Sequence, residues 1–332
     1  MAGASGLRNG SRGVRALFLL MALPLLATFA PPALQQRDPP PPLTLVRFQP
    51  FALNEDDAAA KRLGRLVWLG GWALTSNDRR LGGISALHVD GGQALALSDA
   101  GWLIRLPLPT GRSPVRATIS MVEAGPGAPG VKVNRDIESA VIDGTRVWLA
   151  FEQANAIWRY DRAGFEPRSA AAPPGMSRWS ANRGPEAMVR LADGRFLVFA
   201  EGAGGDTEAA LFSGDPSVRG TAATRLRYRP PAGYRITDAA RLPDGRLVLL
   251  NRSVSLFAGF TAKLTIATLP ELREGALIAG EEAAVFEGPI SRDNLEALSV
   301  TAEGGRTILW VASDDNYSPF QRTLLMKFAL AE

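Results

Sequence analysis

A pattern that recurs about every fifty residues constrains the fold of this chain more than any other feature. In each copy a polar residue precedes small and apolar residues, a glycine turn, and a strongly apolar run that ends in polar residues. The copies span residues 83–99, 137–152, 185–201, 237–251 and 295–315. A repeat of this length indicates propeller blades or solenoid units. Because each copy reads as a hairpin without helical periodicity, we favour a propeller with blades of four strands.

The apolar run of each copy is hydrophobic at successive positions rather than at alternate ones. Residues 147–151 (VWLAF) and 196–200 (FLVFA) show this most clearly. Such strands are buried on both faces, as expected where blades pack against each other. We therefore predict an all-β propeller that follows an N-terminal signal segment. We expect six blades, with five or seven as alternatives, because residues 43–82 have room for a further blade or for strands that close the ring with the C-terminal segment TLLMKFAL (323–330). The competing fold is a large β-sandwich, which requires no such repeat.

The first 42 residues differ in composition from the rest of the chain. A basic stretch leads into the apolar run 16–30, and residues 31–42 (PPALQQRDPPPP) are rich in proline. The apolar run is shorter than the roughly 20 residues of a membrane span, so residues 1–30 read as a signal peptide, with an uncleaved N-terminal anchor as the alternative. We assign residues 31–42 to a linker and residues 43–332 to a single domain. A periplasmic or secreted location follows, or an inner-membrane anchored one if the segment is retained.

Charge and residue usage exclude several classes of function. The net charge is +4, but three of the 37 basic residues (Arg8, Arg12 and Arg15) precede the first acidic residue. The remainder is close to neutral, which argues against a nucleic acid as partner. The chain has no cysteine and one histidine. Thiol chemistry, cysteine-ligated zinc and sites with several histidine ligands are therefore excluded.

Counting along the predicted hairpins pairs acidic residues across strands. If Asp193-Gly194 is a two-residue turn, Glu186 lies opposite Glu201. A three-residue loop at 144–146 places Glu138 opposite Glu152, and a turn at Asp244-Gly245 places Asp238 opposite Asn251. Like charges in direct opposition are destabilising unless a cation neutralises them. Oxygen ligands without sulfur or imidazole suit Ca²⁺, or alternatively Mg²⁺, and we expect no organic cofactor. The predicted metal ligands at the mouth of the central channel are Glu138, Glu152, Glu186, Asp238, Glu296, Asp314 and Asp315.

Arginines accompany the acidic residues in most copies of the repeat. The candidates for holding an anion are Arg183, Arg235, Arg252 and Arg292. Guanidinium groups bind phosphate and carboxylate in a bidentate manner, so we expect a small anionic substrate such as a phosphoester. The alternative interpretation is that acids and arginines form an internal salt-bridge network that ties blades together.

Three segments carry a family resemblance: NRGPEA (182–187), NLEAL (294–298) and SDDNYSPFQRTLLMKF (313–328). With them the chain resembles the bacterial family called "esterase-like activity of phytase", from about residue 45 onward. The resemblance implies a propeller fold, export, and a hydrolase acting on phosphoesters or related esters. We expect a metal-dependent and monomeric enzyme in which Glu186 or Glu201 takes the proton. The alternatives are a sugar-lactone hydrolase and a non-catalytic binding or scaffold propeller of the cell envelope.

Overall fold

The computed structural model describes residues 43–111, 113–128, 135–202 and 204–331. The predicted signal segment (1–30) and linker (31–42) lie outside these residues. Twenty-three strands and a single 3-10 turn (Pro174–Met176) account for the regular structure of the described part. None of its helices has the length and apolarity needed to cross a membrane. The prediction of an all-β propeller is confirmed.

The described strands form five blades, numbered here in chain order. Blade 1 contains β4 (Ile84–Asp90), β5 (Gln93–Ser98), β6 (Trp102–Pro107) and β7 (Val115–Met121). Blade 2 contains β8 (Ile137–Asp143), β9 (Arg146–Phe151), β10 (Ala156–Asp161) and β11 (Pro167–Ala171). Blade 3 contains β12 (Pro185–Arg190), β13 (Phe196–Ala200), β14 (Thr207–Phe212) and β15 (Ala223–Arg229), with β19 (Leu277–Ala279) added parallel to β15.

Blade 5 is assembled from two distant parts of the chain. Blade 4 is continuous except for β19 and contains β16 (Arg235–Arg241), β17 (Leu247–Ser255), β18 (Gly259–Ala267) and β20 (Glu281–Phe286). Blade 5 joins β21 (Leu295–Glu303), β22 (Arg306–Ser313) and β23 (Leu324–Leu330) to β3 (Leu66–Ser76). The short β2 (Arg62–Leu63) pairs with β3, and β1 (Thr44–Pro50) bridges β3 of blade 5 and β7 of blade 1.

The innermost strands close a ring around a central channel. β4, β8, β12, β16 and β21 contact one another in that order, and β21 contacts β4. Among the described residues this gives five blades, so the preferred count of six is wrong and one of the alternatives holds. Residues 43–82 do not build a blade of their own, because β3 completes blade 5 instead.

The core is divided among the interfaces between neighbouring blades. The described residues form five buried clusters, and each cluster takes its side chains from two adjacent blades. Leu149, Phe199 and Leu249 of three second strands are fully buried. Burying a side chain of this size contributes roughly 1.5–3 kcal/mol, which explains why the second strand of each blade is apolar on both faces.

Candidate functional site

The first strand of every blade carries the same irregularity close to its start. Pairing with the second strand shifts register between Ile84 and Ala86, and at the equivalent point of the other four blades. A β-bulge re-aims the extra residue and leaves it out of the ladder. The residues at this bulge position, in blade order, are Ser85, Glu138, Glu186, Thr237 and Glu296.

A second set of residues lies beside the bulges, where the second strand reaches the same end of the channel. In four blades the backbone N–H of this residue donates to the carbonyl two positions before the bulge, as Glu152 does to Asp136 at 2.9 Å. In blade 4 the equivalent residue pairs with Arg235 in the ladder. These strand-end residues, in blade order, are Asp99, Glu152, Glu201, Arg252 and Asp314. Bulge and strand-end residues together form the channel mouth.

Carboxylates of blades 2 and 3 converge at this mouth. Oxygens of Asp136, Glu138 and Glu152 all lie within 4.8 Å of one another, and so do oxygens of Glu152, Glu186 and Glu201. Glu152 belongs to both triads and is itself buried. Acidic clusters of this kind could hold a metal ion.

A close approach of the backbone brings the two triads together. A Cβ on Gly184 would lie 2.7 Å from the Glu152 carbonyl oxygen and 2.8 Å from its Cα. Only glycine fits this contact, and Pro185 and Glu186 follow at once. The NRGPEA segment therefore places the blade 3 bulge directly against the strand end of blade 2.

The electrostatics of the triads favour protonated carboxyls or a bound cation. Burial, reinforced by the neighbouring acids, raises the pKa of Glu138 and Glu186 well above the usual value. Burial also raises the pKa of Glu152 to about 7, with Asp136 and Glu201 adding to the effect. Adjacent carboxylates can ionise together only at a cost, and a hard divalent cation removes that cost.

In blade 5 an arginine from the neighbouring blade neutralises the bulge glutamate, Glu296. The Arg252 guanidinium donates to Glu296 and, at 2.7 Å, to Asn294, whose side-chain amide also donates to Glu296. Although burial opposes it, the combined field of Glu296, Glu186, Glu201 and Asp314 raises the pKa of Arg252. Glu296 is thus neutralised by the strand-end residue of blade 4 and lies outside both triads.

The predicted pairs are brought together, but not through the predicted register. The Asp193-Gly194 turn is a three-residue loop, because Leu191 N–H bonds to Arg195 and positive φ occurs at Gly194 but not at Asp193. Relative to a two-residue turn, this loop shifts the pairing of β12 with β13 by one residue, and the bulge shifts it by one more. In blade 2 the loop has two residues rather than the expected three. The carboxylates of Glu186 and Glu201, and those of Glu138 and Glu152, lie close together. They do so because the bulge takes Glu186 and Glu138 out of the ladder and re-aims their side chains.

Aligning the acidic residues of the repeat predicts the wrong position for Asp238. The bulge in blade 4 falls on Thr237, and Asp238 pairs with Leu250 rather than lying opposite Asn251. The buried Asp238 carboxyl accepts the N–H groups of Ala239 at 2.8 Å and Leu298 at 2.7 Å. It therefore links blade 4 to blade 5 and does not join the carboxylate triads.

The two predicted C-terminal ligands differ in their surroundings. Asp314 is a buried strand-end residue, and burial together with Glu296 and Asp99 raises its pKa well above the usual value. Asp315 accepts from the N–H of Gly83 and of Tyr317 and from the Thr323 hydroxyl. Asp315 thus organises the loop that contains it, and neither residue belongs to the triads.

The four predicted substrate-binding arginines do not form one ring. Arg183 is exposed, and Arg235 is exposed and pairs with Glu201 at 3.1 Å. Arg252 forms an ion pair with Glu296. Arg292 instead donates to the backbone carbonyls of Phe260, Ile290 and Ala258. Only Arg183 and Arg235 therefore present their guanidinium groups to solvent near the mouth.

Sequence reasoning missed two residues that shape the mouth. Asp136 belongs to a triad, and its only signal was its position two residues before Glu138. Thr237 occupies the bulge of blade 4, which alignment on acidic residues concealed. Ser85 and Thr237 donate to the carbonyls of Ile137 (2.5 Å) and Leu295 (3.2 Å) in the next blade.

Fold and site together define an all-β propeller with a carboxylate-rich channel mouth. A model of the phytase-like family, described as esterase-like activity of phytase, matches residues 79–317. This match covers most of the chain, and the chain belongs to that family. No curated protein matches it.

Solved structures are similar to the chain at low sequence identity. The glutaminyl cyclase of Myxococcus xanthus is 10% identical, with 82% of this chain and 100% of that one covered and a TM-score of 0.45. An α-L-arabinofuranosidase from Clostridium thermocellum is 10% identical over 68% and 80%, with a TM-score of 0.43. The α-L-arabinanase of Cellvibrio cellulosa, complexed with arabinohexaose, is 12% identical over 73% and 90%, also with a TM-score of 0.43.

Proposed function

We propose that this protein is a divalent-cation-dependent hydrolase of phosphoesters or related esters, acting at the channel mouth. The observation that carries the proposal is the pair of carboxylate triads that share Glu152. Burial and mutual repulsion raise the pKa of Glu138, Glu152 and Glu186, whereas blades 1 and 4 accommodate a hydroxyl residue at the same bulge position. Strongly perturbed pKa values of this kind cluster at functional sites.

The donor set fits a hard cation. Asp136, Glu138, Glu152, Glu186 and Glu201 offer carboxylate oxygens only, which are the ligands of Ca²⁺ and Mg²⁺ in proteins. We favour Ca²⁺, because it accepts the larger and less regular ligand sets that two fused triads provide. When bound, the cation would supply Lewis-acid activation of a water molecule and of the ester.

The side chains around the triads have distinct roles in this proposal. Glu186 and Glu201 are the candidates for taking the proton from the attacking water, because both border the shared carboxylate Glu152. Arg235, paired with Glu201 at 3.1 Å, and the exposed Arg183 would hold an anionic group of the substrate. Arg252 neutralises Glu296 and keeps the wall next to the triads fixed.

Two other functions are compatible with the same architecture. A sugar-lactone hydrolase would also use a cation at the mouth, and a non-catalytic envelope propeller would use the carboxylates only for structure. Fold alone does not choose among these possibilities. We also propose export to the periplasm or the medium, which the basic and then apolar composition of residues 1–30 supports. A monomeric state stays a prediction.

The test combines metal binding with a substrate screen. We expect the purified protein to bind Ca²⁺ in calorimetry, to hydrolyse phosphoesters faster than lactones, and to lose this activity when EDTA is added. Faster hydrolysis of lactones would transfer the proposal to the lactonase alternative. No cation binding, together with activity unchanged by EDTA, would falsify the metal-dependent mechanism.

A further inference from the structure

Two loops beside the channel mouth expose large apolar side chains. Phe257 and Phe320 are 86% and 69% exposed, and Val254 and Leu256 are 40% and 47% exposed. We call these four residues the apolar rim. Grouped apolar side chains on the surface of a soluble protein mark a contact site, and the carboxylate chemistry of the mouth leaves this group without a role.

Blade 4 raises one part of the rim above the mouth. Its strands β17 and β18 are nine residues long, whereas the equivalent β9 of blade 2 has six. The extra pairs run from Ser253 and Thr261 to Ser255 and Gly259. Because Arg252 is the strand-end residue of this blade, the hairpin tip with Leu256 and Phe257 projects outward from the mouth.

Blade 5 supplies the other part of the rim in the loop between β22 and β23. Arg292 ties this loop to the hairpin, since it donates to the carbonyls of Phe260 (2.9 Å) and Ala258 (3.2 Å) and its own carbonyl accepts from Arg322 (2.9 Å). Asp293 in turn accepts the Arg322 N–H at 3.0 Å. The two tips are therefore held side by side at the edge of the mouth.

We propose that the apolar rim binds the apolar part of the ligand whose polar group enters the mouth. The ligand class is an ester, phosphate or phosphonate that carries an alkyl or aryl group. This inference rests on the proposed function for the polar end of the ligand and adds the recognition of the other end. Continuity supports it, because only Ser253 separates Arg252 at the mouth from Val254 on the rim.

The other occupants of an apolar surface fit less well. Four side chains offer far less than the about 800 Å² per partner of a standard protein interface. A flat lipid surface would contact the two tips but would not place a polar group in the mouth that the rim borders. A small amphiphilic ligand fits both the mouth and the rim, with its polar group toward the mouth and its apolar group on the rim.

The experiment compares octylphosphonate with methylphosphonate, neither of which is hydrolysed. Calorimetry in the presence of Ca²⁺ should show octylphosphonate binding at least about tenfold more tightly, given the contribution of each buried methylene. The double variant Phe257→Ser/Phe320→Ser should lose this preference and bind methylphosphonate as before. Val218→Ser, at an exposed apolar position in the blade 3 loop at the opposite end of the strands, should retain the preference.

Each outcome decides between the rim and its alternatives. Equal affinity for both phosphonates in the wild type, or a preference that survives the double variant, would overturn the inference. Sedimentation with phosphatidylcholine vesicles that the double variant abolishes, without any preference for octylphosphonate, would assign the rim to a lipid surface instead. If the preference stands but no ester or phosphoester is turned over, the proposed function fails and the rim remains a binding site for an apolar group.

Discussion

Blades 2 and 3 place glutamate at the same backbone position where blades 1 and 4 place a hydroxyl residue. In blades 1 and 4 the hydroxyls of Ser85 and Thr237 are buried and donate to a carbonyl of the next blade. In blades 2 and 3 the carboxylates of Glu138 and Glu186 face other carboxylates across the mouth. One bulge geometry thus serves two purposes.

The difference separates stabilising residues from functional ones. A buried hydroxyl that donates to a backbone carbonyl contributes about 0.5–1.5 kcal/mol, whereas burial and mutual repulsion of carboxyls oppose folding. Blade 5 is intermediate, because Glu296 is neutralised by Arg252. Among the five bulge positions, those of blades 2 and 3 therefore carry the acids that belong to the carboxylate triads, and we place the cation there.

The largest effect that tests this contrast is expected from Glu152→Gln. Because Glu152 belongs to both triads, its neutralisation should weaken Ca²⁺ binding on the order of 100-fold, since affinity follows the charge of the ligand set. The same variant should melt at a higher temperature than the wild type in EDTA, since one source of repulsion is gone. Calorimetry and thermal unfolding measure the two effects.

Glu271→Gln serves as the matched control, since its side chain is 85% exposed and lies outside both triads. It should change neither quantity. If Glu152→Gln bound Ca²⁺ as tightly as the wild type, the placement of the cation at blades 2 and 3 would be wrong.

The second test is the pH dependence of the metal-free protein. The pKa of Glu152 is raised to about 7 in the folded state, whereas the unfolded chain releases this proton near the ordinary value of about 4.3. The folded state then binds more protons between these values, so the free energy of unfolding should fall as pH rises through that window. Urea unfolding in EDTA at pH 5, 6, 7 and 8 measures this slope.

Saturating Ca²⁺ should remove or reverse the decline, because the cation binds the deprotonated carboxylates. The Glu152→Gln variant should show a shallower decline in EDTA. A wild-type stability that increases steadily from pH 5 to pH 8 without metal would contradict the raised pKa.

The sequence was sufficient for the repeat, the hairpins and the approximate location of the acids. It was not sufficient for the bulge, because a bulge depends on how each first strand meets the blades on both sides. Asp238 illustrates the consequence. Aligning acid with acid selected Asp238, whereas aligning apolar neighbours (Ile84, Ile137, Pro185, Ile236 and Leu295) selects Thr237. The preferred blade count was wrong for a similar reason, since pairing of β3 with β23 is a long-range contact. The alternative in which residues 43–82 close the ring with the C-terminal segment is confirmed by that pairing.

Asp238→Ala should reduce stability without reducing Ca²⁺ affinity. It would leave the buried N–H of Leu298 without its acceptor, at a cost of about 1–3 kcal/mol. Asp238→Asn keeps an acceptor and should lose less. Urea unfolding and Ca²⁺ calorimetry on both variants separate a link between blades from a metal ligand, and a large loss of Ca²⁺ affinity in Asp238→Asn would return this residue to the metal site.

The smallest expected effect concerns the hydroxyl at the bulge of blade 4. Thr237→Val preserves shape but removes the donor to the Leu295 carbonyl, and we expect a loss of about 1 kcal/mol with unchanged Ca²⁺ affinity. Thr145→Val, at an exposed turn position in blade 2, is the matched control and should be close to neutral. Equal stability of both variants would mean that the hydroxyl does not tie blade 4 to blade 5. Blades 1 and 4 would then differ from blades 2 and 3 only because they lack an acid at the bulge position.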